Sequence, residues 1–289
     1  MTTERPLSRV DVHLHLSRWW PDLARNSYGP GVGYTVPGLL EELRASGVGT
    51  GLVIQLHESP SSAEAMAEGR AIAAESRGAL RPVVTVDPTR GAASVGATVA
   101  LWEQEPELAA VKLFPGYLPF YPHDPRLAPV YEFAHRRGVP VLIHQGDTLD
   151  RHGRVKFARP IEVDEVAVRF PDVRFVLCHF GNPWMEEAAE LVYKNENVYA
   201  DTSGLLAPPS AHYFAKMVDR CRRRLYNAIV TVGAPDRILY GSDWPLESIA
   251  TAVDLIEGLD LPREDRDAIL GGNARRLFRL GDGPRGNPP

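Results

Sequence analysis

AAVKLFPGYLPFYPHDPRLAPVYEFAHRRGVPVLIH, residues 109–144, decides the fold. It opens on a short apolar run, AAVKLF (109–114), and closes on another, PVLIH (140–144). Between them lies a helical pattern at 127–137 that ends in Arg136, Arg137 and Gly138, the cationic last turn and following glycine that stop a helix. Strand, helix, strand in this order makes a parallel pair. Both strand runs are nearly continuous in apolar residues, which marks strands covered on both faces.

The same unit recurs in both directions. Strand-type runs read VDVHLHL (10–16), GLVIQL (51–56), LRPVVTV (80–86), RFVLCH (174–179), NVYADT (197–202) and ILYGSD (238–243). Helical patterns follow at 37–46, 61–77, 161–170, 185–195, 212–230 and 246–258, with a last one at 263–280. The pattern at 37–46 opens on Pro and that at 61–77 on Ser, both favoured helix starts. Phe214, Met217, Val218, Cys221 and Leu225 form an apolar stripe at helical spacing, read as a core-facing surface. Eight alternations predict one (β/α)8 barrel over 1–280, with 281–289 as a flexible tail. A barrel of about 250 residues as one domain suits a chain of 289.

Bulk composition narrows the function classes. The chain is 44% hydrophobic and 24% charged, with 32 basic and 37 acidic residues and a formal charge of −5. No polybasic surface advertises nucleic acid or an anionic membrane. No apolar run reaches the roughly 18 residues of a membrane span. The N-terminus lacks a secretory signal, and Cys178 and Cys221 form no CxxC pair. The expectation is a cytoplasmic protein acting on a small molecule, as a monomer or a homo-oligomer.

Chemistry-bearing residues collect at the ends of the strand runs. His13 and His15 are two apart, so both imidazoles face one spot. Taken alone, such a pair also fits two mouth histidines with satisfied hydrogen bonds. Lys112, His144, His179 and Asp243 join them near the C-terminal ends of later strands, where barrel enzymes place their active groups. Nitrogen and oxygen donors of this kind suit Zn²⁺ first, with Mn²⁺, Fe²⁺ or Co²⁺ also accommodated. Long connections at 17–36 and 115–125 offer substrate contacts from Arg18, Trp19, Tyr28, Tyr117 and Tyr121. His57, Gln145, Trp184 and Trp244 are further candidates for the pocket wall. Cys178 precedes His179 and is expected on the opposite face, towards the helices.

The segments DVHLHL (11–16), 111–147, VLCHFGNPW (176–184), YKNENVYADTSG (193–204), LYGSDWP (239–245) and LGGNARRLFRL (270–280) together resemble the amidohydrolase superfamily, in its amidohydrolase-related branch. The resemblance implies one or two divalent ions held by His13, His15, His144, His179 and Asp243. Asp243 stands where the family places a ligand and proton shuttle. Lys112 stands where binuclear relatives carry a carboxylated lysine bridging two metals. Mononuclear relatives instead leave the histidine equivalent to His179 free for catalysis, and an unmodified Lys112 would suit a substrate carboxylate. The leading expectation is a hydrolase of a small amide, ester, lactone or carbonyl-activated C–C bond, using metal-activated water. The alternative is non-oxidative decarboxylation of an aromatic or unsaturated acid, for which Arg18 is the candidate carboxylate anchor. A non-catalytic binding barrel is the third reading.

Overall fold

The structure, a computed structural model, describes residues 9–20, 23, 28, 32–206 and 214–281. Eight strands pair in chain order, all parallel: β1 (Arg9–Leu14), β2 (Val48–Ile54), β3 (Leu80–Thr85), β4 (Ala110–Leu113), β5 (Val141–Ile143), β6 (Phe175–Leu177), β7 (Val198–Asp201) and β8 (Ile238–Leu239). The chain after β8 then returns to β1. Val12 N donates to Tyr240 O at 3.1 Å, Asp243 N to His13 O at 2.9 Å and His15 N to Trp244 O at 2.7 Å. These bonds close the sheet, and the predicted (β/α)8 barrel is the observed one.

Helices α1 (Val36–Ala45), α2 (Ser62–Glu75), α3 (Ala92–Trp102), α4 (Ala128–Arg137), α5 (Asp164–Arg169), α6 (Met185–Lys194), α7 (Phe214–Val232) and α8 (Ile249–Glu257) fill the connections. Local chemistry sets their ends. Ser61 Oγ accepts from Glu64 N at 3.2 Å and donates to Glu64 Oε2 at 2.8 Å, joining cap and first turn. Gly138 closes α4 with φ of 63°, a left-handed conformation open to glycine. Helix α3 is the element missed in the sequence. Its buried face, Val95, Thr98, Val99 and Trp102, has helical spacing, but Gly96 and the β-branched residues mask it. The last segment is two helices, α9 (Arg263–Asp267) and α10 (Asn273–Leu277), joined by a π turn at Ala268–Gly272. The predicted tail, 281–289, lies outside the described residues except Gly281.

Two apolar layers hold the barrel. Inward residues Val10, Leu52, Ile54, Val83, Ala110, Leu142 and Val176 pack with one another and with Ala274 and Leu277 of α10. Outward residues such as Val111, Val141, Ile143, Phe175 and Leu177 pack under Leu39, Val95, Phe133 and Ala188 of the helices. Truncating one such buried leucine or isoleucine to alanine costs about 2–5 kcal/mol. Among the described residues, no helix is long and apolar enough to cross a membrane.

Candidate metal centre

Strand β1 does not alternate cleanly. Val10 and Val12 face the barrel interior, and so do His13 and His15. The switch falls where the β1–β2 register shifts, between Asp11 and Leu14. Asp11 is fully buried and secures the irregularity: its Oδ1 accepts from His13 N at 3.0 Å and from Ser242 N at 3.1 Å. One carboxylate thus ties the histidine-bearing end of β1 to the aspartate-bearing end of β8. Its burial raises the Asp11 pKa to about 7, against the lowering effect of its hydrogen bonds from Ser242 and His13.

Carbonyl and carboxylate oxygens assign the histidine tautomers, because they only accept. His13 Nδ1 donates to Asp201 Oδ2 at 2.9 Å, which leaves its Nε2 lone pair pointing into the site. His144 Nε2 donates to Asp147 O at 2.9 Å, leaving Nδ1 as the lone pair. His179 Nδ1 lies 3.2 Å from Ser203 O, leaving Nε2. The freed His144 Nδ1 and His179 Nε2 face each other at 3.1 Å. Two lone pairs at that distance call for a cation or a shared proton between them.

Asp243 completes the cluster. Its Oδ1 lies 3.2 Å from His15 Nε2 and 3.5 Å from His13 Nε2, yet receives no well-directed hydrogen bond from the described residues. Ligand atoms each about 2.0–2.2 Å from one ion have mutual separations of this order. His13, His179 and Asp243 offer donor atoms all within 4.8 Å of one another. The residues present therefore fit a divalent cation.

Electrostatics agree with neutral histidine donors and an ionised aspartate. Burial, reinforced by Lys112, lowers the His13 pKa to about 3. Burial, with His179 and Lys112 beside it, takes His144 well below its ordinary range, and burial also lowers His179. Burial pushes Asp243 up, but the His15, His179 and His13 imidazoles crowded around it outweigh this and hold the carboxyl below its usual range. The same balance holds Asp201 low, with His13 as the main partner.

Lys112 is fully enclosed, its Nζ 3.4 Å from His13 Nε2 and 2.9 Å from Cys178 Sγ. Cys178 therefore faces the barrel interior, not the helix layer. The alternation expected for 178 and 179 fails because the chain leaves β6 in a 3₁₀ turn, Cys178–Gly181. His179 there has φ of 60° and Phe180 of 45°, so consecutive residues 178 and 179 both reach inward.

A cavity of about 300 Å³ opens above these donors. Of the proposed wall residues, His57, Tyr117 and Gln145 line it. Tyr117 packs edge-on to His144 with ring centroids 4.8 Å apart. Gln145 is fully buried and both its amide atoms lack partners among the described residues. The other candidates lie elsewhere. Arg18 stacks on Trp19 and sits 3.9 Å from Glu68. Tyr28 is exposed and donates to Glu42 Oε2 at 2.6 Å. Tyr121 stacks on His123, Trp184 lies under Arg159, and Trp244 is buried against Tyr34 with Nε1 on Glu42. Trp20, not Trp19, reaches the cavity.

The sequence reading also missed Asp201, Ser203 and the inner face of α7. Asp201 ends β7, so the strand-end position that singled out Asp243 was a usable signal. Ser203 Oγ lies 2.9 Å from both His13 Nδ1 and His179 Nδ1. From α7, Met217, Arg220, Cys221 and Arg224 line the cavity, so part of the predicted core stripe is active-site wall.

The family model described as Amidohydrolase matches residues 10–280. The chain belongs to the amidohydrolase family. Gamma-resorcylate decarboxylase of Polaromonas sp. is 26% identical over 240 residues, 63% of this chain and 69% of that protein. Gamma-resorcylate decarboxylase of Rhizobium sp. is 26% identical over 225 residues, 64% of this chain and 62% of its own length. An amidohydrolase from Burkholderia multivorans, solved with bound zinc, superposes with a TM-score of 0.71 at 19% identity, over 94% of this chain and 99% of that one.

Proposed function

We propose that this amidohydrolase is a metal-dependent decarboxylase of an aromatic or unsaturated carboxylic acid. The similarity to gamma-resorcylate decarboxylases over some two thirds of the chain carries the choice of decarboxylation over the hydrolysis expected first. The donor set suits Zn²⁺, with Mn²⁺, Fe²⁺ and Co²⁺ as alternatives, and His13, His15, His144, His179 and Asp243 would hold the ion. Such an ion would supply positive charge to bind and polarise the acid group.

The remaining work falls to the chain. Leu56, His57, Phe114 and Tyr117 offer an apolar and aromatic wall for a ring. Gln145, with both amide atoms unengaged among the described residues, offers a donor and an acceptor to ring substituents. Asp243 takes a proton from a substrate hydroxyl or acid group and returns it to the carbon that bears the carboxylate. The bond from that carbon to the carboxylate then breaks, its electron pair goes back into the ring, and CO₂ leaves. Ser203 and Asp201 hold His179 and His13 in place while the proton moves.

The test uses protein loaded in turn with Zn²⁺ and Mn²⁺ and incubated with a panel of hydroxybenzoates that includes gamma-resorcylate. Release of CO₂ with the matching phenol, abolished by a chelator and restored by metal, is the expected result. Turnover of lactones, esters or amides without any CO₂ from the acids would return the assignment to hydrolysis.

A further inference from the structure

Helix α7 brings two guanidinium groups to the cavity, Arg220 and Arg224, one helical turn apart. Arg224 is fixed. Its Nη1 donates to Asn182 Oδ1 at 2.9 Å and its Nη2 to Pro183 O at 2.7 Å, which clamps α7 to the loop after β6. Arg220 is exposed and has no hydrogen bond or ion pair among the described residues. The metal-type donors are buried at the floor, so Arg220 stands at the mouth above them. Among the described residues, the carboxylates that line the cavity are Asp147 and Asp243; Asp243 belongs to the floor, and Asp147 Oδ1 accepts from Thr148 N at 2.9 Å.

A planar fork of N–H donors left open beside a fixed cation is a receptor for a carboxylate, matched in shape as well as charge. The floor already provides for one acid group. We propose that Arg220, with Arg224 behind it, recognises a second carboxylate on the substrate, so that the preferred substrates are aromatic diacids rather than monoacids. The proposal rests on the decarboxylase reading for the fate of the first acid group, but not for binding. It also moves carboxylate recognition from Arg18, which is tied to Trp19 and Glu68 outside this cavity.

Binding of inert acids tests it without turnover. Dissociation constants of benzoate, isophthalate and terephthalate are measured by calorimetry on the metal-loaded wild type, on Arg220→Gln and on Arg223→Gln. Arg223 is an exposed arginine of the same helix that does not line the cavity, so its loss removes equal charge elsewhere. The wild type should bind at least one diacid about tenfold or more tighter than benzoate, a difference of about 1.4 kcal/mol. Arg220→Gln should shrink that preference to within about twofold, while Arg223→Gln retains it. Equal binding of mono- and diacids by the wild type, an undiminished preference in Arg220→Gln, or no binding of any acid would each overturn the proposal. Failure of the decarboxylase reading looks different: the diacid preference stays and no acid releases CO₂.

Discussion

Asp243 shows how tightly one residue is held at this barrel mouth. Its φ is 68°, a left-handed conformation that costs a non-glycine residue of order 1–3 kcal/mol unless the surroundings enforce it. Enforcement comes from its own N–H, bonded to His13 O at 2.9 Å, and from the parallel pairing of the next residue, Trp244, whose O accepts from His15 N at 2.7 Å. The carboxylate is thereby aimed at His13 and His15. Asp243→Asn keeps the shape, tolerates the left-handed backbone and retains one ligand oxygen, but it cannot carry a proton near neutral pH. We expect the variant to fold and its turnover to fall by about 10²–10⁴-fold. Metal content has to be measured in the same preparation. A variant that keeps its metal and more than about a tenth of wild-type turnover would pass the proton-carrying role to another group. This residue was legible in the sequence because it ends an apolar run. Asp201 ends one as well, but its task is to orient His13, and that pairing spans 188 residues of chain and leaves no local signal.

At the scale of elements, the sequence showed which strands exist and what they end on, but not how they end. Alternation predicts the side of a residue only while strand geometry lasts. In β1 it breaks at the register shift beside Asp11, and after β6 it breaks in the turn at Cys178–Gly181. The first break leaves the reading of His13 and His15 intact, because both still face the barrel interior. The second leaves Cys178 on the inward side of β6, with Val176, and turns His179 inward beside it. Helix α7 was legible as an amphipathic helix, yet periodicity does not tell a helix-layer face from a cavity wall. The loop after β7 makes the cost of these endings measurable. Gly204 has φ of 66°, and a Cβ there would lie 2.6 Å from His179 Nδ1 and 3.1 Å from Asp243 Oδ2. Gly233, with φ of 64°, has open space around the same position. Ala at either site pays for a left-handed backbone, about 1 kcal/mol, and Gly204→Ala should lose more stability than Gly233→Ala because its Cβ also displaces His179. Gly204→Ala alone should also weaken metal binding or lower turnover at least tenfold. Equal activity of the two variants would show that the loop after β7 gives way without disturbing the site.

The whole barrel concentrates buried, neutral histidines at one end, and that gives the molecule a pH dependence of definite sign. Without metal, His13, His144 and His179 all have pKa values below the ordinary 6.5, chiefly through burial. Below that pH the unfolded chain binds protons that the folded chain refuses, so stability falls as the pH drops. Asp11 works the other way. Its pKa is raised from 3.8 to about 7, so between those values the folded chain holds a proton that the unfolded chain releases, and stability falls as the pH rises. Three groups pull one way and one the other, and each proton is worth about 1.4 kcal/mol per pH unit, so the histidines prevail. The melting temperature of metal-free protein should hold steady from pH 8 to about 7 and decline steadily from about 6.5 towards 5. A bound divalent ion occupies the lone pairs that protons would take. Loaded protein should therefore melt higher at neutral pH, by an amount that grows with free metal concentration, and should release its metal within the same acid window. A melting temperature that stays flat from pH 7.5 to 5 without metal, and does not rise when Zn²⁺ or Mn²⁺ is added, would show that these histidines neither stay neutral in the folded chain nor share an ion.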